Sequence, residues 1–344
     1  MNQIAFVFSN STVYWSSIVV AAAALCAMLA AVMIRLWRNE PLLPVLVYLP
    51  VATVLSVFFA RLIHWYCRTD QYTSLSAALQ DFTGGGYALL GVFAGCFLAA
   101  VLVRVLRLTD DLPSLLDSLA PAAALGIGMG RLCCLFNADS RGKMFVEDPA
   151  RQKLPIGSPV VNATSGEIQW RFATFFIQSL IALAIFAILL IVTVIMLKLI
   201  RRQNKRAQGM TFLIFMVLYC SSQIVMDSTR YDALFLRSNG FVSLEQIFSI
   251  VVLVGCAVIF SIRSVKQCGL RLWHPVLWAL ILGCFGGTGY MEYYVQRHGS
   301  LYMMCYSIMS ACLLIAAVLS FVLCFTAICG NAKGRKGLFE AAQK

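Results

Sequence analysis

An all-α, polytopic membrane protein of about nine spans is the expectation for this chain, and three features lead to it. Of 344 residues, 60% are hydrophobic and only 12% charged, with a mean hydropathy of +0.83. A soluble domain of this length carries far more polar surface. The apolar residues fall in runs long enough for a helix to cross a ~30 Å hydrocarbon core, which takes ~20 of them. The basic residues gather between alternate runs, as the positive-inside rule requires.

In order, the runs predict spans at roughly 13–34, 42–66, 86–106, 114–136, 172–198, 210–229, 243–262, 274–295 and 301–329. The first has no Lys or Arg before it and is too long for the apolar part of a cleaved signal peptide, so it is expected to stay as a span. The eighth is the weakest, because Gly286, Gly287, Gly289 and Glu292 interrupt it. Loops after the odd-numbered spans hold 16 of the 27 Lys and Arg, and loops after the even-numbered spans hold 9. Lys198, Arg201, Arg202, Lys205 and Arg206 form the densest cluster. The N-terminus is therefore expected outside and the C-terminus in the cytoplasm. The net charge of +12 follows from this bias and from contact with anionic headgroups, so nucleic-acid binding is not expected. Most of the 13 cysteines lie within spans, where Cys acts as a small hydrophobe, and no metal-ligand spacing links them to the three histidines.

With this topology, the polar residues within and beside the spans sort to one side. Arg61 and His64 lie near the outer end of the second span, and Gly84-Gly85-Gly86-Tyr87 opens the third. Arg131 closes the fourth and leads into Asn137, Asp139, Arg141, Gly142 and Lys143. Arg171 and Gln178 open the fifth, Asp227, Arg230 and Asp232 close the sixth, and Glu245-Gln246 opens the seventh. Charged groups at bilayer depth are costly, which makes each a functional candidate, with buried ion pairing between helices the plain alternative. Arg131 and Arg230 are planar, permanently charged forks suited to phosphate, and at a membrane boundary the available phosphate is a phospholipid headgroup. The run of glycines allows backbone to approach a ligand or another helix closely. The outer loop 137–170, with Pro149, Pro155 and Pro159, is read either as a cover for this side or as a passive connection.

At these residues the chain resembles the prolipoprotein diacylglyceryl transferases. Their signature, Gly-Arg-x-Gly-Asn-Phe-x-Asn-Gly-Glu-x-x-Gly-Arg, is similar to the run Gly130, Arg131, Asn137, Ala138, Asp139, Gly142 and Lys143, with Cys133, Cys134 and Leu135 in the Gly-Asn-Phe places. A second family segment, Glu-Phe-x-Arg-x-Pro-Asp with a later Gly-Gln, is similar to Asp227, Arg230, Asp232 and Gln246. A third, Gly-Gly-x-x-x-His-Gly-Gly, resembles Gly84 through Gly91, with Leu89 at the histidine. A fourth, Pro-x-x-x-Tyr-Glu, resembles Ala173 to Gln178, and Arg61 fits a family arginine before an aromatic pair.

The resemblance covers about residues 13–262 and implies a seven-span core over 1–262, two further spans over 263–332 and a basic cytoplasmic tail over 333–344. It implies a bacterial plasma-membrane enzyme. That enzyme moves the diacylglyceryl group of phosphatidylglycerol onto the lipobox cysteine thiol of an exported prolipoprotein. No metal or organic cofactor is called for, and the partners are phosphatidylglycerol, the lipobox peptide and membrane lipid. By this resemblance Arg131 and Arg230 hold the departing phosphate. Asn137, Asp139, Gly142, Lys143, Arg61, Asp227 and Gln246 bind substrate. Tyr87 and His64 are the candidates to replace the missing histidine as base. The alternative is a relative that binds phospholipid or lipoprotein precursor without turning it over.

Overall fold

A computed structural model describes residues 4–8, 11–80, 85–109, 111–136, 141–161, 166–201, 207–236, 239–299 and 301–329. A helix stands at each of the nine expected places. They are α1 (Trp15–Trp37), α2 (Leu43–Cys67), α4 (Leu89–Val105), α5 (Leu112–Arg131), α6 (Thr174–Arg201), α7 (Met210–Ser228), α8 (Leu244–Cys268), α9 (Trp273–His298) and α10 (Tyr302–Cys329). A short helix α3 (Leu75–Gln80) lies between α2 and α4. Seven of these helices are long and apolar enough to cross a membrane, and α4, at 17 residues, is a shorter apolar helix. The protein is an all-α polytopic membrane protein. Helix α9 is more polar than the seven, but it runs unbroken through Gly286, Gly287 and Gly289 and ends at the left-handed Gly299 (φ 60°). Glycine weakens a helix by only ~1 kcal/mol, which the long flanking turns absorb.

The local signals explain the helix ends. Pro44 and Pro113 stand in the first turns of α2 and α5, where the missing N–H costs nothing. Asp111 caps α5 by accepting from the Ser114 amide at 3.4 Å. The last turn of α5 passes into a 3₁₀ turn over Leu132–Phe136.

The chain divides into two compact units. The first holds Met1–Leu190 and Thr229–Glu245. Within it α2 packs on α4 and α1 on α5. Gly91 and Gly95 explain the first pair. A Cβ on Gly95 would stand 2.5 Å from the Ser56 amide nitrogen, and one on Gly91 would strike the Phe59 carbonyl. The absent side chains thus let α4 lie directly against the α2 backbone, the small-residue packing of membrane helices. The short strands β1 (Ile4–Phe8) with β2 (Ser11–Tyr14), β3 (Gly157–Val161) with β4 (Ile168–Phe172), and β5 (Phe235–Leu236) with β6 (Asn239–Ser243) form antiparallel pairs.

The second unit holds Ile191–Ser228 and Gln246–Lys344. There α10 packs on α9 and on α7. Buried polar groups link its helices: Ser264 of α8 bonds His274 of α9 at 3.1 Å and Thr326 of α10 at 2.7 Å. Glu292 of α9 accepts from Ser228 of α7 at 3.0 Å and from Gln296 at 2.9 Å. The expected cytoplasmic tail, 333–344, lies outside the described residues.

Candidate active site

The segment after α5 is held in place by backbone. Gly142 N–H donates to Phe172 O at 2.8 Å, Phe172 N–H to Met144 O at 2.9 Å and Val146 N–H to Trp170 O at 2.8 Å. On its other edge Lys143 N–H donates to Thr229 O at 2.8 Å and Tyr231 N–H to Arg141 O at 3.3 Å. Residues 141–146 thus run as a strand between β4 and the segment 229–231, with Gly142 opposite Arg230 and Phe145 opposite Arg171. Gly142 has to be glycine here, because a Cβ would stand 2.7 Å from Thr174 Oγ1 and 2.8 Å from Phe172 O. Thr174 and Thr229, both buried, join their hydroxyls at 3.1 Å beneath it.

This frame brings the two predicted arginines together on one carboxylate. Arg230 donates from Nη1 to Glu245 Oε2 at 3.2 Å and from Nε to Asp232 Oδ1 at 3.0 Å. Arg131, at the end of α5, faces the same Glu245 oxygen across 4.0 Å. That distance is an ion pair without a hydrogen bond. The Nε and Nη2 atoms of Arg131 are buried and have no hydrogen-bond partner among the described residues. Two cations and two anions therefore stand together, and one cation still has donors to give. Burial works to raise the Asp232 carboxyl pKa, but the charge and hydrogen bond of Arg230, with the charge of Arg131, outweigh it and hold it below the usual range.

Arg141 closes the C-terminal end of the α5 extension, donating to Cys134 O at 2.8 Å and Leu135 O at 3.3 Å and lying over the Phe175 ring. Burial is the main influence on its guanidinium and lowers its pKa. Lys143 lies with its ammonium 5.8 Å from the Phe235 ring.

A second cluster gathers Arg61, His64 and Tyr87 around the start of α4. Arg61 is 2% exposed and donates from Nη1 to the carbonyls of Gly85 and Gly86 (3.0 Å for the latter) and to Tyr72 Oη at 3.2 Å. Its guanidinium also lies 4.7 Å from the Tyr87 ring. His64 Nδ1 is 3.3 Å from Tyr72 Oη. Gly85 and Gly86 take φ of 72° and 78°, and a Cβ on Gly86 would collide with His64 and Tyr72. Neither His64 nor Tyr87 makes a hydrogen bond or ring contact with Arg131 or Arg230.

Asp227 and Gln246 are buried in the second unit, where the Gln246 amide donates to Ile224 O at 3.1 Å. Asn137, Asp139 and Gly84 lie outside the described residues. Two contributors were not among the predicted site residues. Glu245 is the carboxylate common to both arginines; its signal was a single acid in the first turn of a predicted span, on the side where the arginines end. Tyr72 bridges Arg61 and His64 from a connecting loop and had no sequence signal.

Comparison with known proteins agrees with the signature. Residues 3–262 match the family described as prolipoprotein diacylglyceryl transferase. A phosphatidylglycerol–prolipoprotein diacylglyceryl transferase of Limosilactobacillus reuteri is 25% identical over 269 residues, covering 78% of this chain and 93% of the relative. One from Finegoldia magna is 25% identical over 273 residues, covering 78% and 97%. One from Clostridioides difficile is 21% identical over 271 residues, covering 78% and 97%.

Proposed function

We propose, on the premise that this chain belongs to the prolipoprotein diacylglyceryl transferase family, that it transfers the diacylglyceryl group of phosphatidylglycerol to the lipobox cysteine of exported prolipoproteins. The observation that carries the proposal is Arg131, a buried guanidinium beside the Arg230–Glu245 pair with Nε and Nη2 unpartnered among the described residues. An arriving phosphate takes those donors without breaking an existing hydrogen bond. Charge-assisted bonds of this kind are about twice as strong as neutral ones.

In the reaction the cysteine thiolate attacks the glycerol carbon that bears the phosphate. A C–S bond forms, the C–O bond to phosphate breaks, and glycerol phosphate leaves with the electron pair. The thiol proton passes to a base before attack, since the thiolate is the nucleophile. Arg131 and Arg230 stabilise the charge that develops on the departing phosphate, and stabilisation of this electrostatic kind usually lowers the barrier more than any other single effect. Glu245 and Asp232 hold Arg230 in plane before substrate arrives. Gly142 keeps the signature strand close enough to β4 and to Thr229 for that alignment. Tyr87, lying on the Arg61 guanidinium, and His64, paired with Tyr72, are the proposed bases, and Lys143, Asn137 and Asp139 the proposed headgroup contacts. The site faces outward, with the N-terminus outside and the C-terminus inside a bacterial plasma membrane, a topology that the loop charges support.

The test is turnover. Purified protein reconstituted with phosphatidylglycerol and a synthetic lipobox peptide should add a diacylglyceryl mass to the peptide cysteine and release glycerol phosphate, and Arg131→Ala should remove both. Absence of product from the folded wild type, or full product from the variant, would overturn the reading.

A further inference from the structure

Arg171 and Lys143 belong to a second cationic group on the same small frame. Arg171, in β4, lies between two aromatic rings, with its guanidinium carbon 5.2 Å from the Phe145 centroid and 5.2 Å from that of Tyr231. Its Nε is buried and has no hydrogen-bond partner, and neither Arg171 nor Lys143 pairs with a carboxylate among the described residues. The contrast with Arg230, which holds two carboxylates, is direct. Phe145 is 58% and Tyr231 61% exposed, so the rings cover the faces of the guanidinium while standing open themselves.

Strand geometry places this group apart from the Arg131–Arg230 centre. Successive residues of an extended segment point to opposite faces. Arg230 turns to Glu245 and Asp232, while its neighbour Tyr231 turns to Arg171. Lys143 and Phe145, two residues apart on the signature strand, share a face, and Gly142 between Arg141 and Lys143 turns to Thr174. One face of the frame thus carries the acid-balanced arginine, and the other carries two uncompensated cations with exposed aromatic rings.

A guanidinium covered on both faces offers only its edge, where its N–H groups lie in one plane and match two oxygens of a phosphate. Amphipathic rings beside cations are the chemistry of the headgroup layer, and this frame connects helices at the boundary of the membrane. We propose that Arg171, with Lys143, Phe145 and Tyr231, is a second phosphate site, which binds the headgroup of an anionic phospholipid of the outer leaflet and is separate from the transfer centre. The proposal rests on the outward topology given above and does not require turnover.

The test is native mass spectrometry of the full chain purified from nanodiscs containing equal phosphatidylglycerol and phosphatidylcholine. All variants are compared in an Arg131→Ala, Arg230→Ala background, which removes the transfer centre. That background should still retain phosphatidylglycerol over phosphatidylcholine, and adding Arg171→Gln should weaken retention by about tenfold, the value of one charge-assisted bond. Tyr231→Leu keeps the charge but uncovers one face, and should weaken it by less. Arg171→Lys should restore part of the loss. Two results would overturn the proposal: retention that does not change with Arg171→Gln in folded protein, or retention that inorganic phosphate displaces while phosphatidylcholine and phosphatidylglycerol bind alike. Wild-type activity is assayed separately, so failure of the transferase reading would leave these measurements intact.

Discussion

At the end of α5, Arg131 keeps two buried nitrogens without a hydrogen-bond partner among the described residues. Near the end of α2, Arg61 gives its hydrogens to the Gly85 and Gly86 carbonyls and to Tyr72. Both arginines sit in apolar runs at the ends of helices, and from residue type and position they are equivalent. What separates them is where their donors go. Arg61 fixes the two left-handed glycines that lead into α4, and so serves the backbone. Arg131 faces a carboxylate at ion-pair distance and leaves its fork open, the arrangement that suits an arriving anion.

The comparison breaks if the two arginines respond alike to removal. Arg131→Ala and Arg230→Ala should each lower transfer by about 10²–10³-fold, the cost of losing one electrostatic contact to a developing charge. Thermal stability should change little for Arg131→Ala, since no described hydrogen bond is lost. Parallel melting curves and peptide mass shifts would read both. Arg61→Ala should do the reverse. It leaves buried carbonyls unpaired, at about 1–3 kcal/mol each, and should lower the melting temperature first. Equal loss of activity in a fully stable Arg61→Ala protein would make Arg61 part of the binding machinery.

Gly142 and Gly85 sharpen the contrast at the level of backbone. A Cβ on Gly142 meets Thr174 Oγ1 and Phe172 O, while one on Gly85 meets nothing within 4 Å but must hold a φ of 72°. Gly142→Ala should therefore push the signature strand off β4 and cost about 1–3 kcal/mol with loss of transfer. Gly85→Ala should cost about 1 kcal/mol of backbone strain with activity kept. Denaturant midpoints and turnover of the two variants measure the difference, and a larger loss at Gly85 would reverse the assignment of which glycine serves the site. A smaller effect is expected of Glu245→Gln. The amide still accepts from Arg230 but no longer carries the charge that draws both arginines together, so kcat should fall about tenfold with the fold unchanged.

The helices were legible because ~20 apolar residues in a row have one reading in this composition. Even α9, whose apolar run the glycines interrupt, appears where its apolar residues begin. The assignment of the polar residues to one side of the membrane is read from loop charge alone. The signature segment was not legible as a strand. Its partners are β4 and residues 229–231, some 30 and 90 residues away in sequence, and a strand this short carries no period of its own. The meeting of Arg131 and Arg230 was expected from their common side of the membrane, but the carboxylate between them was not, because an acid in the first turn of a helix already has a local explanation in the helix dipole. Tyr72 sits in a loop, where residue type says nothing about tertiary contact.

Leu89 provides the remaining test, since it takes the position of the family histidine. It is the first residue of α4, directly after Ala88, whose amide bonds Ala60 O at 3.1 Å, and two residues from Tyr87 on Arg61. A histidine placed there would sit at a helix N-terminus, where the dipole disfavours the charged imidazolium and keeps the ring neutral, able to accept a proton. Leu89→His should therefore leave transfer unchanged or raise it, by as much as ~10²-fold if proton removal limits the present rate. In the same background Tyr87→Phe and His64→Gln should each matter less than in the wild type, because the new imidazole does their work. A fall in activity with Leu89→His in folded protein would show that the start of α4 does not face the reacting thiol. The base would then have to be sought on the Arg131 side of the frame.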